Sequence, residues 1–319
     1  MKPLHQRKTQ KMSEQPTPEP KSKPAAGKDS NSGGQFPTFR KPPPKPPEIK
    51  LGRPLPDVTL REEFAETARA QAAKVALTAK VKVHLFIGRG RTGKTTNIRY
   101  HAANLIKARR NIIVLDADRT NPVLAQYLND IGMPENYTDN AIATFILETI
   151  VEAVPAGYHV LIDFGGGDTS LYNIIREMPD FIPRIQELGG AVIANYAIGA
   201  SVDDLAPLST LWSLGFRPTA TAFLFNEAST GALQPSTFAS IKEHSFYRDL
   251  SAKHNAVSIL IPRLGIADII ESHRLNFVEA ASIATAEQPN PLTLFQQMMM
   301  RGWLTNMEKA YEPIAGWYK

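Results

Sequence analysis

Apolar and polar positions alternate along this chain in distinct regimes. Residues 1–57 carry no sustained apolar period, and "FRKPPPKPPEIKLGRPLP" is their densest stretch of Pro and Lys. Such a segment buries too little apolar surface to offset the entropy of ordering, so a disordered tail with some polyproline II is expected. From Val58 to Lys80, "VTLREEFAETARAQAAKVALTAK" is rich in good helix formers and predicts a leading helix. Short β-branched runs then alternate with helical patterns to the end of the chain. "VKVHLFIG", "RNIIVLDAD", "YHVLIDFGGGD", "GAVIANYAIGA", "TATAFLFNE" and "AVSILIPRLG" predict buried strands. Helices are expected at Lys94–Arg109, at "NPVLAQYLNDI" opened by Asn121 and Pro122, and at "NAIATFILETIVEAV". Near-continuous apolar strands separated by helices imply an α/β domain over 58–319. Its sheet should be mostly parallel and twisted, with helices on both faces. The last segment should begin as a helix, with Met298–Met300 and Trp303 either capping the core or facing a partner.

Composition changes this picture little. The 319 residues hold 36 Lys/Arg and 31 Asp/Glu, a net charge of +5, but residues 1–57 contribute about +7 of it. The folded part is therefore slightly acidic. The tail is either a solvated tether or an electrostatic arm for nucleic acid or an acidic partner. Cysteine is absent, which excludes disulfides and cysteine-ligated zinc and fits a reducing cytoplasm. No apolar run reaches the length of a membrane span, and no apolar region follows the basic start, so no secretory leader is expected.

The candidate chemistry begins where the first strand ends. "GRGRTGKT", residues 88–95, matches G-x-x-x-x-G-K-[ST] between a predicted strand and a predicted helix, the setting of a P-loop. Gly88, Gly90 and Gly93 would let successive backbone N–H groups of Arg91, Thr92 and their neighbours turn toward phosphate oxygens. The helix that follows adds its positive N-terminal end, together with Thr96. Lys94 would reach the β- and γ-phosphates, and Thr95 Oγ1 would coordinate Mg²⁺. Asp163, ending "HVLID", suits a carboxylate that holds the metal's water shell, and Gly165–Gly167 would let a switch loop approach the γ-phosphate. Asp168 reads as a helix N-cap. The same glycines also fit G-x-G-x-x-G, but the Lys94–Thr95 pair argues against a dinucleotide site. Asp116 and Asp118 form a second carboxylate pair at a strand end. They either face one site or cap the segment after Asn121.

Taken together, "GRGRTGKTT", "DADRTNP" and "LIDFGGG" resemble the motifs of the ParA/MinD-type ATPases with a deviant Walker A loop, over roughly residues 81–275. That resemblance implies a P-loop NTPase fold, ATP and Mg²⁺ as cofactors, and a homodimer formed on ATP binding. It implies that Asp118 orients the attacking water and that Asp116 supports Mg²⁺ or the switch. Arg89 stands where the family carries a signature lysine, so by resemblance it would reach the partner subunit's nucleotide. The alternative for Arg89 is a solvated loop side chain. Arg91 replaces a family glycine, points to solvent, and leaves its amide usable if φ is negative. Asn226 would touch the adenine edge by resemblance, or else form a turn.

The function implied is an ATP-driven dimerisation switch that positions or partitions cargo such as plasmid DNA, a conjugation complex or another large assembly. A partner protein or cargo adaptor is expected, with non-specific DNA contact through the basic tail or the dimer surface. Membrane attachment is not expected, because the "GWYK" end offers a single lysine. The alternatives are a P-loop kinase or small-molecule phosphotransferase, for which no arginine-rich lid is visible, and a nucleotide-binding scaffold without turnover.

Overall fold

The structure, a computed structural model, describes residues 56–318 apart from Thr120, Tyr137, Asp168 and residues 286–288. The predicted tail lies outside these residues save for Pro56 and Asp57, and so does the cap predicted at Asp168. The chain runs α1 (Pro56–Ala72), β1 (Val81–Ile87), α2 (Lys94–Lys107), β2 (Ile112–Ala117), β3 (Ile131–Gly132), α3 (Asp139–Ala153) and β4 (His159–Phe164). It continues with α4 (Ser170–Glu177), α5 (Phe181–Glu187), β5 (Gly190–Ile198), α6 (Ala206–Ser213), β6 (Ala220–Asn226), α7 (Ala239–Glu243) and α8 (Ser245–Lys253). It ends with β7 (Ala256–Ile261), α9 (Ala267–Ser272), α10 (Phe277–Ala281) and α11 (Leu294–Tyr311), then a 3₁₀ segment at Glu312–Tyr318.

The strands form one seven-stranded sheet in the order β3-β2-β4-β1-β5-β6-β7, and every paired neighbour is parallel. Parallel strands need crossovers, and the helices that supply them cover both faces, which explains why β1, β4, β5, β6 and β7 are buried along their whole length. Alternate residues divide the core. Val83, Leu85, Ile162 and Tyr196 pack with α3 to α8 on one face. Phe86, Leu161 and Val114 pack on Ile98 and Leu105 of α2 on the other, where Ile259 and Ile261 meet α11 through Met300 and Trp303.

Two predicted helices are shorter than their patterns. The leading helix stops at Ala72 instead of Lys80, because Val75 and Leu77 leave the helical path to pack beside the α11 cluster. α1 covers the exposed edge of the sheet, where the Gln71 side chain accepts a hydrogen bond from the Ser258 N–H of β7 at 2.8 Å. "NPVLAQYLNDI" forms only a 3₁₀ turn at Leu124–Gln126 before β3. Its backbone is drawn instead onto Asp116, whose carboxylate accepts from Leu124 N–H at 2.9 Å. The methionines of α11 divide: Met300 is fully buried, while Met298 and Met299 face outward.

Candidate nucleotide-binding site

The loop between β1 and α2 lies at the carboxyl end of the sheet, where parallel α/β folds bind ligands. Gly88 has φ +140°, and an added Cβ would sit 2.5 Å from the Ala197 carbonyl of β5. Gly93, the residue before α2, has φ +92°, and its Cβ would meet Asn226 Nδ2 at 2.5 Å. Both positions therefore need glycine for conformation and for space. Arg91 also lies in the left-handed region, at φ +63°. The condition of a negative φ there is not met: the loop keeps a turn that glycine adopts freely, and arginine holds it at a cost of about 1 kcal/mol. The Arg91 side chain is exposed.

Hydrogen bonds inside the loop turn its carbonyls away from its amides. Arg89 O accepts from Thr92 Oγ1 at 2.8 Å and from Lys94 Nζ at 2.9 Å. Thr92 O accepts from Asn226 Nδ2 at 2.8 Å, and Gly93 O accepts from Asn97 Nδ2 at 2.8 Å. Thr92 is buried and Thr96 half-buried at the start of α2. An open cleft of about 740 Å³ above the loop is lined by Arg89, Gly90, Arg91, Thr92, Ser201 and Asp204.

Beneath the loop, strand register brings the carboxylates together. Asp163 of β4 pairs with Phe86 of β1 on one side and with Asp116 of β2 on the other. Thr95 Oγ1 donates to Asp163 Oδ2 at 2.9 Å. Asp163 Oδ1 is buried with no hydrogen-bond partner. Burial raises the Asp163 carboxyl to about 7, against the opposing pull of Thr95 and Lys94; Asp116 and Asp118 push it further up. Burial lowers the Lys94 ammonium, partly offset by Asp163 and Asp118.

Asp116 is engaged on both oxygens, accepting from Asp118 N–H at 3.2 Å and from Leu124 N–H at 2.9 Å. Both of its oxygens thus bond to the segment that follows β2. Asp118 is half-buried and accepts from Asn121 N–H at 3.0 Å. Asn226 forms a turn, its Oδ1 accepting from Ala228 N–H at 2.9 Å while its amide nitrogen holds Thr92. Arg89 lies 3.5 Å from Asp204 and 3.9 Å from Asp203. Asp204 is fastened by the Gly199 N–H at 2.9 Å and by a capping box with Ser201.

Sequence reasoning named the Gly165–Gly167 run but not its contact with the P-loop, and it missed Asn97 altogether. Gly166 lies directly on the P-loop, and its added Cβ would be 2.3 Å from Gly90 N. Asn97 carries no motif, and its only signal was a polar residue on the inward face of α2.

Among the described residues no group of three or more His, Asp or Glu side chains forms a ready cage for a metal ion. A divalent ion at this place would need phosphate oxygens to complete its shell. The unpartnered Asp163 oxygen beside Thr95 fits that requirement.

The cost of this arrangement is measurable. Between the unfolded carboxyl value near 3.8 and the folded value near 7, the native state holds a proton that the unfolded state has released. The stability tied to Asp163 is therefore full below the lower value and lost as pH rises through the upper one. Asp163→Asn should thus stabilise the nucleotide-free protein at pH 8 by on the order of 2 kcal/mol, several degrees in Tm, with the gain shrinking toward pH 4. Thermal unfolding at the two pH values checks this; an unchanged or lower Tm at pH 8 would contradict it.

No family model matches this chain, and no curated protein matches it. Among solved structures it is similar to the signal recognition particle receptor FtsY from Elizabethkingia anophelis, with 12% identity, 77% of this chain and 73% of that chain covered, and a TM-score of 0.38. It is similar to FlhF complexed with GMPPNP/Mg²⁺, with 14% identity, 65% and 75% covered, and a TM-score of 0.38. It is similar to the signal recognition particle 54 kDa protein from Aeropyrum pernix in complex with GDP, with 15% identity, 67% and 50% covered, and a TM-score of 0.39. By its own strand, glycine loop, helix and adjacent carboxylate strand, the chain has the fold of a P-loop NTPase.

Proposed function

We propose that this protein binds a Mg²⁺–nucleoside triphosphate, ATP in the first instance, and hydrolyses it as a dimerisation switch. The observation that carries this reading is the Thr95–Asp163 pair under a glycine loop, with one buried carboxylate oxygen left unpartnered. The loop amides and the start of α2 would cradle the phosphates, and Lys94 would leave the Arg89 carbonyl for a phosphate oxygen. Thr95 and Asp163 would hold magnesium and its water. A bound magnesium ion supplies charge neutralisation on the transferring phosphoryl group. Asp118 would orient the attacking water, with Asp116 holding its loop in place.

Arg89 would reach the nucleotide of a second copy. Its present contacts, with the half-exposed guanidinium near Asp203 and Asp204, are weak enough to release it. Such a cycle fits a protein that positions or partitions cargo through an adaptor or DNA, with the basic residues 1–57 as the DNA-facing part. Among the described residues no helix is long and apolar enough to cross a membrane.

Light scattering on wild type and Asp118→Ala, with and without Mg²⁺–ATP or Mg²⁺–GTP, tests the switch. A dimer trapped in the variant by one triphosphate is expected, and an unchanged mass in every condition would defeat it. Lys94→Ala should weaken triphosphate binding by about tenfold or more through lost charge-assisted hydrogen bonds. Equal binding by wild type and variant in calorimetry would remove the phosphate role.

A further inference from the structure

Two consecutive carbonyls of the P-loop are each held by a buried asparagine. Asn226, from the end of β6, holds Thr92 O; Asn97, from the first turn of α2, holds Gly93 O with its side chain at 2.8 Å as well as with its backbone N–H at 3.1 Å. A trans peptide is planar, with C=O and N–H on opposite sides. Holding Thr92 O therefore sets the direction of the Gly93 N–H, and holding Gly93 O sets that of the Lys94 N–H. These are the amides at the mouth of α2, where an anion is best received.

An asparagine can do this only if its amide is turned the right way, because its two ends are nearly alike in shape. Each asparagine has a partner that decides the matter. For Asn226 it is a backbone donor, Ala228 N–H. For Asn97 it is the Tyr311 hydroxyl, which donates to Asn97 Oδ1 at 2.7 Å from 214 positions away. Tyr311 is the last residue of α11 and is buried, with its ring edge on His101 at 4.4 Å and its face along Tyr100 at 5.4 Å. Its phenol has little freedom to turn elsewhere, and burial raises it well above its ordinary value, so it remains a donor.

We infer that Tyr311 is a positioning residue for triphosphate binding. Through the Asn97 side chain and the Gly93 carbonyl it adds a second restraint, beside the helical Asn97 N–H, on the direction of the Lys94 backbone N–H. The last helix thus bears on the geometry of a loop far from it in sequence. This inference rests on the nucleotide-binding reading above, and it assigns that reading a distant determinant.

The test compares Tyr311→Phe with Tyr318→Phe. Both remove one hydroxyl from the same aromatic cluster, but the Tyr318 hydroxyl donates to Asn195 rather than to the α2 asparagine. Affinity for a fluorescent Mg²⁺–ATP analogue, the Lys94 amide resonance of the nucleotide-free protein and Tm are measured for each. Tyr311→Phe should weaken binding about fivefold to tenfold, the loss of one buried hydrogen bond, and shift the Lys94 amide resonance. Tyr318→Phe should stay within about twofold of wild type in affinity even if its Tm falls. Adding Tyr311→Phe to Asn97→Ala should cause no further loss, since the two act in series.

Equal binding by Tyr311→Phe and wild type, additive losses in the double variant, or an equal loss in Tyr318→Phe would each overturn the inference while leaving nucleotide binding intact. A wild type with no affinity for any triphosphate would overturn both.

Discussion

Gly166→Ala is expected to lower Mg²⁺–triphosphate affinity by about a hundredfold or more, although Gly166 lies outside the P-loop itself. The added Cβ would stand 2.3 Å from Gly90 N, 2.7 Å from Gly90 Cα and 3.0 Å from the Arg89 carbonyl carbon. All three are backbone atoms of the P-loop, so no side chain can swing aside. Relief requires a shift of about 1 Å between the two loops, and a misplacement of that size in a preorganised site costs on the order of a hundredfold. Gly167→Ala is the internal control, because its Cβ would meet nothing within 4 Å. Calorimetric titration of both variants at matched folded fraction decides the matter. Near-equal affinities for the two would show that the contact between the glycine run and the loop is slack.

Mild acid is expected to destabilise the fold steeply below about pH 6.5, through buried histidines outside the glycine loop. Burial holds His84 and His101 well below their ordinary value, and neighbouring positive charge, His84 acting on His101 and His159 with Lys82 on His84, adds to the effect. Burial, with Lys82 and Arg110, holds His159 down to about 4. Each is neutral in the native state and takes up a proton only on unfolding. The stability they contribute is present above the unfolded value near 6.5 and is lost as pH falls below it toward the folded values.

Asp163 and Asp116, both raised by burial, act in the opposite sense over part of this range. The net loss between pH 7 and pH 5 should be on the order of 3 kcal/mol. Two of the three histidines share one ring: His101 stacks on Tyr318 at 3.7 Å and His84 on the same ring at 4.7 Å, with both Nε2 atoms buried and unpartnered. His101→Phe keeps the stacking and removes one titrating group, so it should flatten the acid limb of a Tm–pH profile. A variant profile that tracks wild type below pH 6 would place the acid sensitivity elsewhere.

Local signals in the chain carried much of the site. Lys94, Thr95, Asp163 and Asp116 came from a loop pattern and from strand ends, because a P-loop is built from neighbouring backbone and strand termini always gather at one edge of a parallel sheet. The strands were legible for the same reason: both faces are buried, so each reads as a continuous apolar run. The helix expected after Asn121 was not formed, because Asp116 draws that backbone into a turn, and no propensity count includes a buried carboxylate from another element. Asn226 illustrates the limit from the other side. Its residue type allowed either a base contact or a turn, and only the position of Thr92 O shows what its amide does in this structure.

The sequence by itself determined the parallel sheet, the glycine loop and the residue types that can handle phosphate and magnesium. These depend on contacts between near neighbours and on the two-residue period of strands. Only the tertiary structure decided which distant residues hold that loop in shape. Gly166 on Gly90, Asn226 on Thr92 and Tyr311 on Asn97 join residues 76, 134 and 214 positions apart. Packing of the whole chain sets such distances, and no local pattern records them.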